Sequence, residues 1–245
     1  MNLARTWLEK GARQFNLELD CALLDHFFLY LDFLGERNRL TNLTGLHTPE
    51  EVVIKHFLDS LSGRMLFRPR ENDAVIDIGP GAGFPSIPLL MVEPRFRLLL
   101  LEPRLHPCRF LQELVERLVL PAVEILSLRA ENAGRTERRG QFRWVLARAV
   151  AHMNILVELA LPLLAEGGAL LAWKGDEIAQ ELDETRFALS ELGGVLEQVQ
   201  KVTLPYWDLD RNLVLVRKIA PTPERYPRRN GMPQRHPLVF PAKRV

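Results

Sequence analysis

The sequence predicts an α/β fold: a seven-stranded, mostly parallel sheet preceded by an N-terminal helical appendage. Three observations carry this. Residues 2–65 place apolar side chains at helical spacing with no alternating strand pattern. From residue 74 onward, short apolar runs alternate with helical stretches, the mark of a parallel sheet covered on both faces. The first run, Val75-Ile76-Asp77-Ile78, opens into Gly79-Pro80-Gly81-Ala82-Gly83, a strand–turn–helix junction of the kind that binds ligands.

The expected units are an appendage over 1–70, a sheet domain over 71–220 and a basic Pro/Arg-rich tail over 221–245. In the appendage, Met1 to Lys10 is amphipathic rather than a continuous apolar leader. Leu19, Leu23, Leu24, Phe27, Phe28, Leu31 and Leu34 then recur at helical spacing. A further helix is predicted near Thr48-Pro49-Glu50-Glu51, with Thr48 as N-cap and Pro49 in the first turn, carrying Val52, Val53, Phe57 and Leu58 inward. Strands are expected at 74–79, 97–102, 122–126, 143–147, 168–173, 195–202 and 212–219. Helices are expected at 85–92, with Pro85 in the first turn, and at 104–119, 151–164 and 176–192. The loop Pro205-Tyr206-Trp207-Asp208 separates the last two strands, and the chain after Lys218 reads as extended.

A chain of 245 residues with 47% hydrophobic and 26% charged content suits a soluble, cytoplasmic, monomeric protein with one large domain. No apolar run is long enough to suggest a membrane span. Cys21 and Cys108 form no C-x-x-C pair, so neither a metal site nor a disulfide framework is expected. Net charge is +1, yet the basic residues cluster. Six arginines fall in 129–148, and 220–245 carries Arg225, Arg228, Arg229, Arg235, Lys243 and Arg244 against Glu224 alone. Such patches read either as polyanion contacts or as solvated surface. Arg228 and Arg229 are taken as phosphate contacts.

The glycine loop narrows the ligand. A dinucleotide fingerprint needs a third glycine at position 84, where this chain has Phe84. Asp77 would also repel a pyrophosphate, whereas S-adenosyl-L-methionine (SAM) carries a sulfonium and an ammonium that favour an acid. The expectation is therefore a Rossmann-like class I SAM methyltransferase, with Asp77, Gly79, Gly81, Gly83 and Phe84 at the cofactor. Glu102, at the end of the second strand, is placed to accept both ribose hydroxyls. The loop Arg129-Ala130-Glu131 follows the third strand and passes beside the adenine, Ala130 and Glu131 through their backbone.

The fourth strand ends Val145-Leu146-Ala147-Arg148-Ala149, without the N/D-P-P-Y motif of exocyclic-amine methylation or a Pro-Cys pair for cytosine C5. Pro107-Cys108 lies on the helix after the second strand, where Cys108 reads as a packing thiol. Guanine N7 has an in-plane lone pair and no proton, so its methylation needs orientation rather than a base.

Further segments carry a resemblance: Asn42-Leu43-Thr44, His56-Phe57-Leu58-Asp59-Ser60, Gly81 through Leu89, Arg148-Ala149-Val150-Ala151, Trp173-Lys174-Gly175 and Tyr226-Pro227-Arg228-Arg229. In this order, from about residue 30 to 238, the chain resembles the bacterial 16S rRNA guanine-N7 methyltransferases, the RsmG/GidB family. The resemblance implies a seventh strand closing an antiparallel hairpin and SAM-dependent methylation of guanine 527 in the 530 loop of 16S rRNA, with the 30S subunit as partner. It implies that Gly79–Gly83, Glu102, Ala130-Glu131 and Arg148 surround SAM. It also sets Arg129, Arg148 and Arg211 around the catalytic site, toward RNA phosphate or guanine. Asn42, His56, Asp59 and Ser60 match a signature that packs the appendage on the SAM loop. The chain departs from the family pattern at Pro80, Ser86, His106-Pro107, Arg143 and Trp173, which leaves another RNA or a small molecule as the alternative substrate.

Overall fold

A computed structural model of the chain describes residues 3–207 and 210–240. Met1, Asn2, Asp208, Lys243 and Arg244, which enter the expectations above, lie outside the described residues. The appendage contains α1 (Leu3–Ala12), α2 (Cys21–Thr41) and a composite helix. That helix runs as α3 (Pro49–Val52), a π-helical segment (Val53–Leu58) and α4 (Asp59–Ser62). Its start follows the sequence: Thr48 accepts the Glu51 N–H at 3.2 Å and Pro49 occupies the first turn. Asp20 caps α2 by accepting from the Leu23 N–H at 2.7 Å. Asn42 ends α2 in the left-handed conformation, which asparagine tolerates, and sends the chain back toward the π segment.

The strands are β1 (Ala74–Ile78), β2 (Arg97–Leu101), β3 (Val123–Leu126), β4 (Phe142–Arg148), β5 (Leu164–Lys174), β6 (Gly194–Thr203) and β7 (Asp210–Lys218). Their order is β3-β2-β1-β4-β5-β7-β6, and only β7 runs antiparallel to its neighbours. The crossovers carry α5 (Ser86–Val92), α6 (Leu105–Arg117), the single turn α7 (Ala130–Ala133), α8 (Met153–Ala160) and α9 (Ala179–Leu192). Pro85 sits at the N-cap of α5 rather than inside it. With no N–H to give, it is at home on either side of that boundary.

Two cores flank the sheet. The appendage, α5 and α6 bury Phe27, Tyr30, Phe57, Ile87 and Phe110 against one face; α7, α8 and α9 bury Ala133, Leu156 and Leu192 against the other. Aromatic contacts bind the appendage to the sheet domain: Phe33 stacks on Phe110 at 5.1 Å and Tyr30 on Phe84 at 5.3 Å.

The segment after β7 is not extended. Residues 222–238 pack on the second core, burying Tyr226 and Leu238, and turn through α10 (Met232–Arg235). The expectation for Arg228 is corrected here. It forms hydrogen bonds to the fully buried Glu158 of α8 from its N–H (2.8 Å), Nε (2.9 Å) and Nη2 (2.6 Å), so it is not offered to phosphate. Composition showed its charge but not the acid beneath it. Arg229 is exposed.

Candidate functional site

Two neighbouring regions lie at the carboxyl ends of the parallel strands, where an open α/β sheet binds its ligands. The first is built on β1 and β2. Gly79, Gly81 and Gly83 all have positive φ, and a Cβ on Gly83 would stand 2.6 Å from the Tyr30 hydroxyl. That hydroxyl donates to the Ala82 carbonyl, so α2 braces the loop from below. Tyr30 is a site residue that periodicity concealed. Its only signal was one hydroxyl on an apolar helical face.

Asp77 is fully buried below the loop. Its Oδ2 accepts from the Ser86 N–H at 3.3 Å, while its Oδ1 has no hydrogen-bond partner among the described residues. Burial pushes its carboxyl up to about 7, against the opposing pull of the Ser86 hydroxyl and N–H and the Arg148 charge. Ser86 therefore contributes a backbone donor despite departing from the family's usual residue. Glu102, also buried, accepts from the Gly81 N–H at 3.1 Å and from the Arg104 N–H and Nε at 3.0 and 2.9 Å. Cys108 is a packing thiol whose Sγ donates to the Glu102 carbonyl at 3.0 Å.

These features fit SAM. An orphaned buried carboxylate oxygen suits an ammonium, and a Cβ placed on Gly81 would meet nothing nearer than Arg104 Nη2 at 3.8 Å, leaving the loop backbone open. The Phe84 ring points elsewhere. It is buried between His56 (4.3 Å) and Tyr30, with the Arg148 guanidinium 5.1 Å from its centre. Phe84 thus anchors the loop to the appendage. The Glu131 side chain also turns away, accepting the Gly231 N–H at 3.2 Å.

The second region is a cavity of about 490 Å³ at the ends of β4 and β5, roofed by the π segment and lined by His56, Asp59, Arg148, Trp173, Lys174 and Arg211 among others. Arg148 crosses from β4 to the appendage. Its Nη1 donates to the Lys55 carbonyl (3.0 Å) and to Asp59 Oδ2 (2.9 Å), and its Nη2 to His56 Nδ1 (3.0 Å). Nδ1 also lies 3.2 Å from the Lys55 carbonyl; the guanidinium is nearer and can only donate, which assigns Nδ1 as its acceptor and the ring proton to Nε2, facing Thr44 Oγ1 at 2.8 Å. Burial first, then the Arg148 charge, lowers the His56 pKa to about 3, so the imidazole is neutral at working pH. The spacing of His56 and Asp59 thus serves one arginine.

Arg211 Nε lies 3.5 Å from Asp59 Oδ1, so one acid stands between two arginines. The Asp59 carbonyl accepts the Trp173 indole N–H at 2.8 Å. A Cβ on Gly63 would fall 2.3 Å from the Trp173 ring, so this large residue is accommodated by a glycine across from it. Lys174 donates to the Ala151 carbonyl at 2.7 Å and pairs with Glu181. Ala149 holds a left-handed φ of 56° on the cavity wall, a costly geometry for a residue with a Cβ. Arg129 is exposed at the N-cap of α7, outside the cavity. The structure therefore groups Arg148 with Arg211 and sets Arg129 apart. Among the described residues, no cluster of three His, Cys, Asp or Glu could hold a metal ion, and no helix is long and apolar enough to cross a membrane.

Comparison with solved structures concerns the fold. M. jannaschii TYW2 in complex with AdoMet matches with TM-score 0.51 at 18% identity, covering 64% of this chain and 74% of that one. A SAM-dependent O-methyltransferase from Thermotoga maritima matches with TM-score 0.51 at 15% identity over 67% and 66%. The sheet and its flanking helices are a fold shared with these two structures. Sequence relatives are much nearer. The ribosomal RNA small subunit methyltransferase G of Thermoanaerobacter pseudethanolicus is 41% identical over 94% of this chain and 97% of its own length. Its namesakes from Dictyoglomus thermophilum (41%; 95% and 96% covered) and Acetivibrio thermocellus (38%; 96% and 97%) are similar over the same extent. The family model described as rRNA small subunit methyltransferase G (GidB) matches residues 24–214, a span that takes in both the braced glycine loop and the arginine-crossed cavity. The chain belongs to the rRNA small subunit methyltransferase G family.

Proposed function

We propose that this SAM-dependent rRNA methyltransferase modifies N7 of guanine 527 in 16S rRNA, acting as a monomer on the 30S subunit. Bound SAM supplies a methyl group on a sulfonium, an electrophile that needs only a nucleophile in line with it. Asp77 and the glycine loop would hold its amino-acid end, Glu102 its ribose hydroxyls, and the Ala130-Glu131 backbone its adenine edge. The chain's own task is then to seat the guanine in the cavity and keep water out.

One observation supports N7 as the nucleophile: among the described residues, each side chain of the cavity that could act as a base is held against a cation. The His56 acceptor nitrogen faces Arg148, Asp59 lies between two arginines, and Glu181 receives Lys174 and the Met153 N–H. Asp59 Oδ1 accepts no hydrogen bond among the described residues, but it stands 3.5 Å from Arg211 Nε in a carboxylate already paired with Arg148, which makes it a weak base. N7 has no proton to lose, and orientation alone can supply about 7–11 kcal/mol of a barrier at best. Arg148 and Arg211 give the cavity a positive wall, and the exposed Arg129 extends that charge toward RNA phosphates.

The test is methyl transfer to purified 30S subunits, followed by chemical mapping of modified bases. N7-methylguanine at position 527 is the expected product. A methyl group on an exocyclic amine, or transfer only to small molecules, would sink the proposal.

A further inference from the structure

We infer that the segment 222–231 is a clamp that positions the cofactor's adenine-binding loop, with Arg228 and Glu158 as its positioning residues. The inference rests on the reading of Ala130-Glu131 as the adenine edge contact.

The need for a clamp follows from the size of α7. A helix of four residues cannot hold itself, because the torsions it fixes outnumber the hydrogen bonds it forms. Its support comes from a segment about ninety residues downstream. The Gly231 N–H donates to Glu131 Oε1 at 3.2 Å, inside the turn itself. The Pro227 ring lies so close to Gly134 that a Cβ there would stand 2.9 Å from it. Arg135 Nε donates to the Pro227 carbonyl at 2.8 Å. Arg139 ties the turn to the segment, donating to the Gly134 carbonyl at 3.1 Å and to the Tyr226 and Thr222 carbonyls at 2.6 and 2.7 Å.

The clamp is itself anchored. Arg228 closes on Glu158, whose side chain is fully buried, and Thr222 Oγ1 donates to the Leu192 carbonyl at 2.8 Å. α8 thus supports α7 in two ways, by direct packing and through the downstream segment, and the proposed adenine edge lies on α7. The basic residues of this segment and of 135–139 look like RNA-binding patches in composition. In the fold, Arg135, Arg139 and Arg228 are spent on the protein's own carbonyls and on one acid.

A test must separate positioning from general stability. Replacing one partner of a buried ion pair leaves the other unpaired, whereas replacing both by apolar groups is often neutral. The variant is Arg228→Leu with Glu158→Gln in the full chain: both charges go, and the Gln amide oxygen still accepts the N–H of residue 228. The ligands are S-adenosylhomocysteine and its inosine counterpart, which differs only at the purine edge. We expect a cooperatively folded variant that binds S-adenosylhomocysteine about tenfold more weakly, the scale of one lost hydrogen bond. Its affinity for the inosine analogue should stay near that of the wild type, so the preference for adenine collapses. A purely structural defect would weaken both ligands alike.

A folded variant that retains the wild-type preference for adenine overturns the inference. Should the double variant fail to fold, Arg135→Ala decides in its place. It removes only the Pro227 tether and should reduce the same preference; an unchanged preference overturns the inference equally. A wild-type chain that does not distinguish the two ligands would instead refute the adenine reading on which the clamp rests.

Discussion

The two ends of the site are built by different means. The cofactor end is local: Asp77, the glycine loop and Ser86 span ten consecutive residues, and Glu102 joins them across one strand pair. The cavity end is assembled from afar. Arg148 meets Lys55, His56 and Asp59 across some ninety residues of chain, and Arg211 approaches the same Asp59 from β7. Both ends feel the appendage, the loop through Tyr30 beneath it and the cavity through the residues that Arg148 binds. The difference is that the acids of the cofactor end keep their partners within the sheet domain, whereas the cavity's ion pairs exist only while the appendage stays docked. Loss of a cofactor-end acid should therefore be separable from loss of the cavity, and each end should fail in its own way.

The largest effect is expected at the cavity. Arg148→Ala leaves the buried Asp59 without its nearer partner, and breaking a buried pair costs about 3–5 kcal/mol. Urea unfolding should show that loss, together with loss of methyl transfer. A change below about 1 kcal/mol, the range of a surface pair, would mean that the bridge does not hold the appendage.

Glu102→Ala should give the opposite pattern. Affinity for S-adenosylhomocysteine should fall by roughly 1.5–3 kcal/mol, the worth of a hydrogen bond to a charged group, with a smaller change in stability. Titration calorimetry measures the first and urea unfolding the second. Unchanged affinity would remove Glu102 from the cofactor site.

The smallest effect concerns pH. Asp77 has an ordinary value of 3.8 and stands at about 7 in the fold because of burial. The folded chain favours its neutral form, so the stability it contributes is full at low pH and is lost as pH rises through 7. An ammonium beside it reverses that preference. Affinity for S-adenosylhomocysteine should therefore rise up to about tenfold per pH unit below pH 7 and flatten above it, with a proton released on binding. Calorimetry in buffers of different ionisation enthalpy detects that proton, and Asp77→Asn should abolish its release. No proton release in the wild type would place the ammonium elsewhere.

The same division explains what could be read in the sequence. Most strand boundaries and the G-x-G-x-G loop were legible, since each depends on residues within a few positions of one another; β5 is the exception, beginning at Leu164 where a helix was expected to end. The β7–β6 closure came through resemblance, as periodicity does not encode strand order. Arg148, His56 and Asp59 were each visible, but their mutual contact was not, because it is made by docking the appendage on the sheet. Tyr30 is not singled out by the sequence, and Phe84 reads only as part of the ligand loop, because the contacts that join them form when the appendage docks. Arg228 misled most. A charge on a Pro-rich segment is read as exposed until the acid that buries it is found.

The π-helical segment Val53–Leu58 has one further consequence. It holds an extra residue within a helix whose ladder would close without it. Removing that residue would restore regular α geometry and turn everything beyond it by about 100°. The helix would be no worse as a helix, yet a deletion ahead of His56 would turn His56 and Asp59 together away from the Arg148 guanidinium. Length in this stretch is thus a coordinate of the site, counted in single residues, and an aim independent of the strength of the helix that carries it.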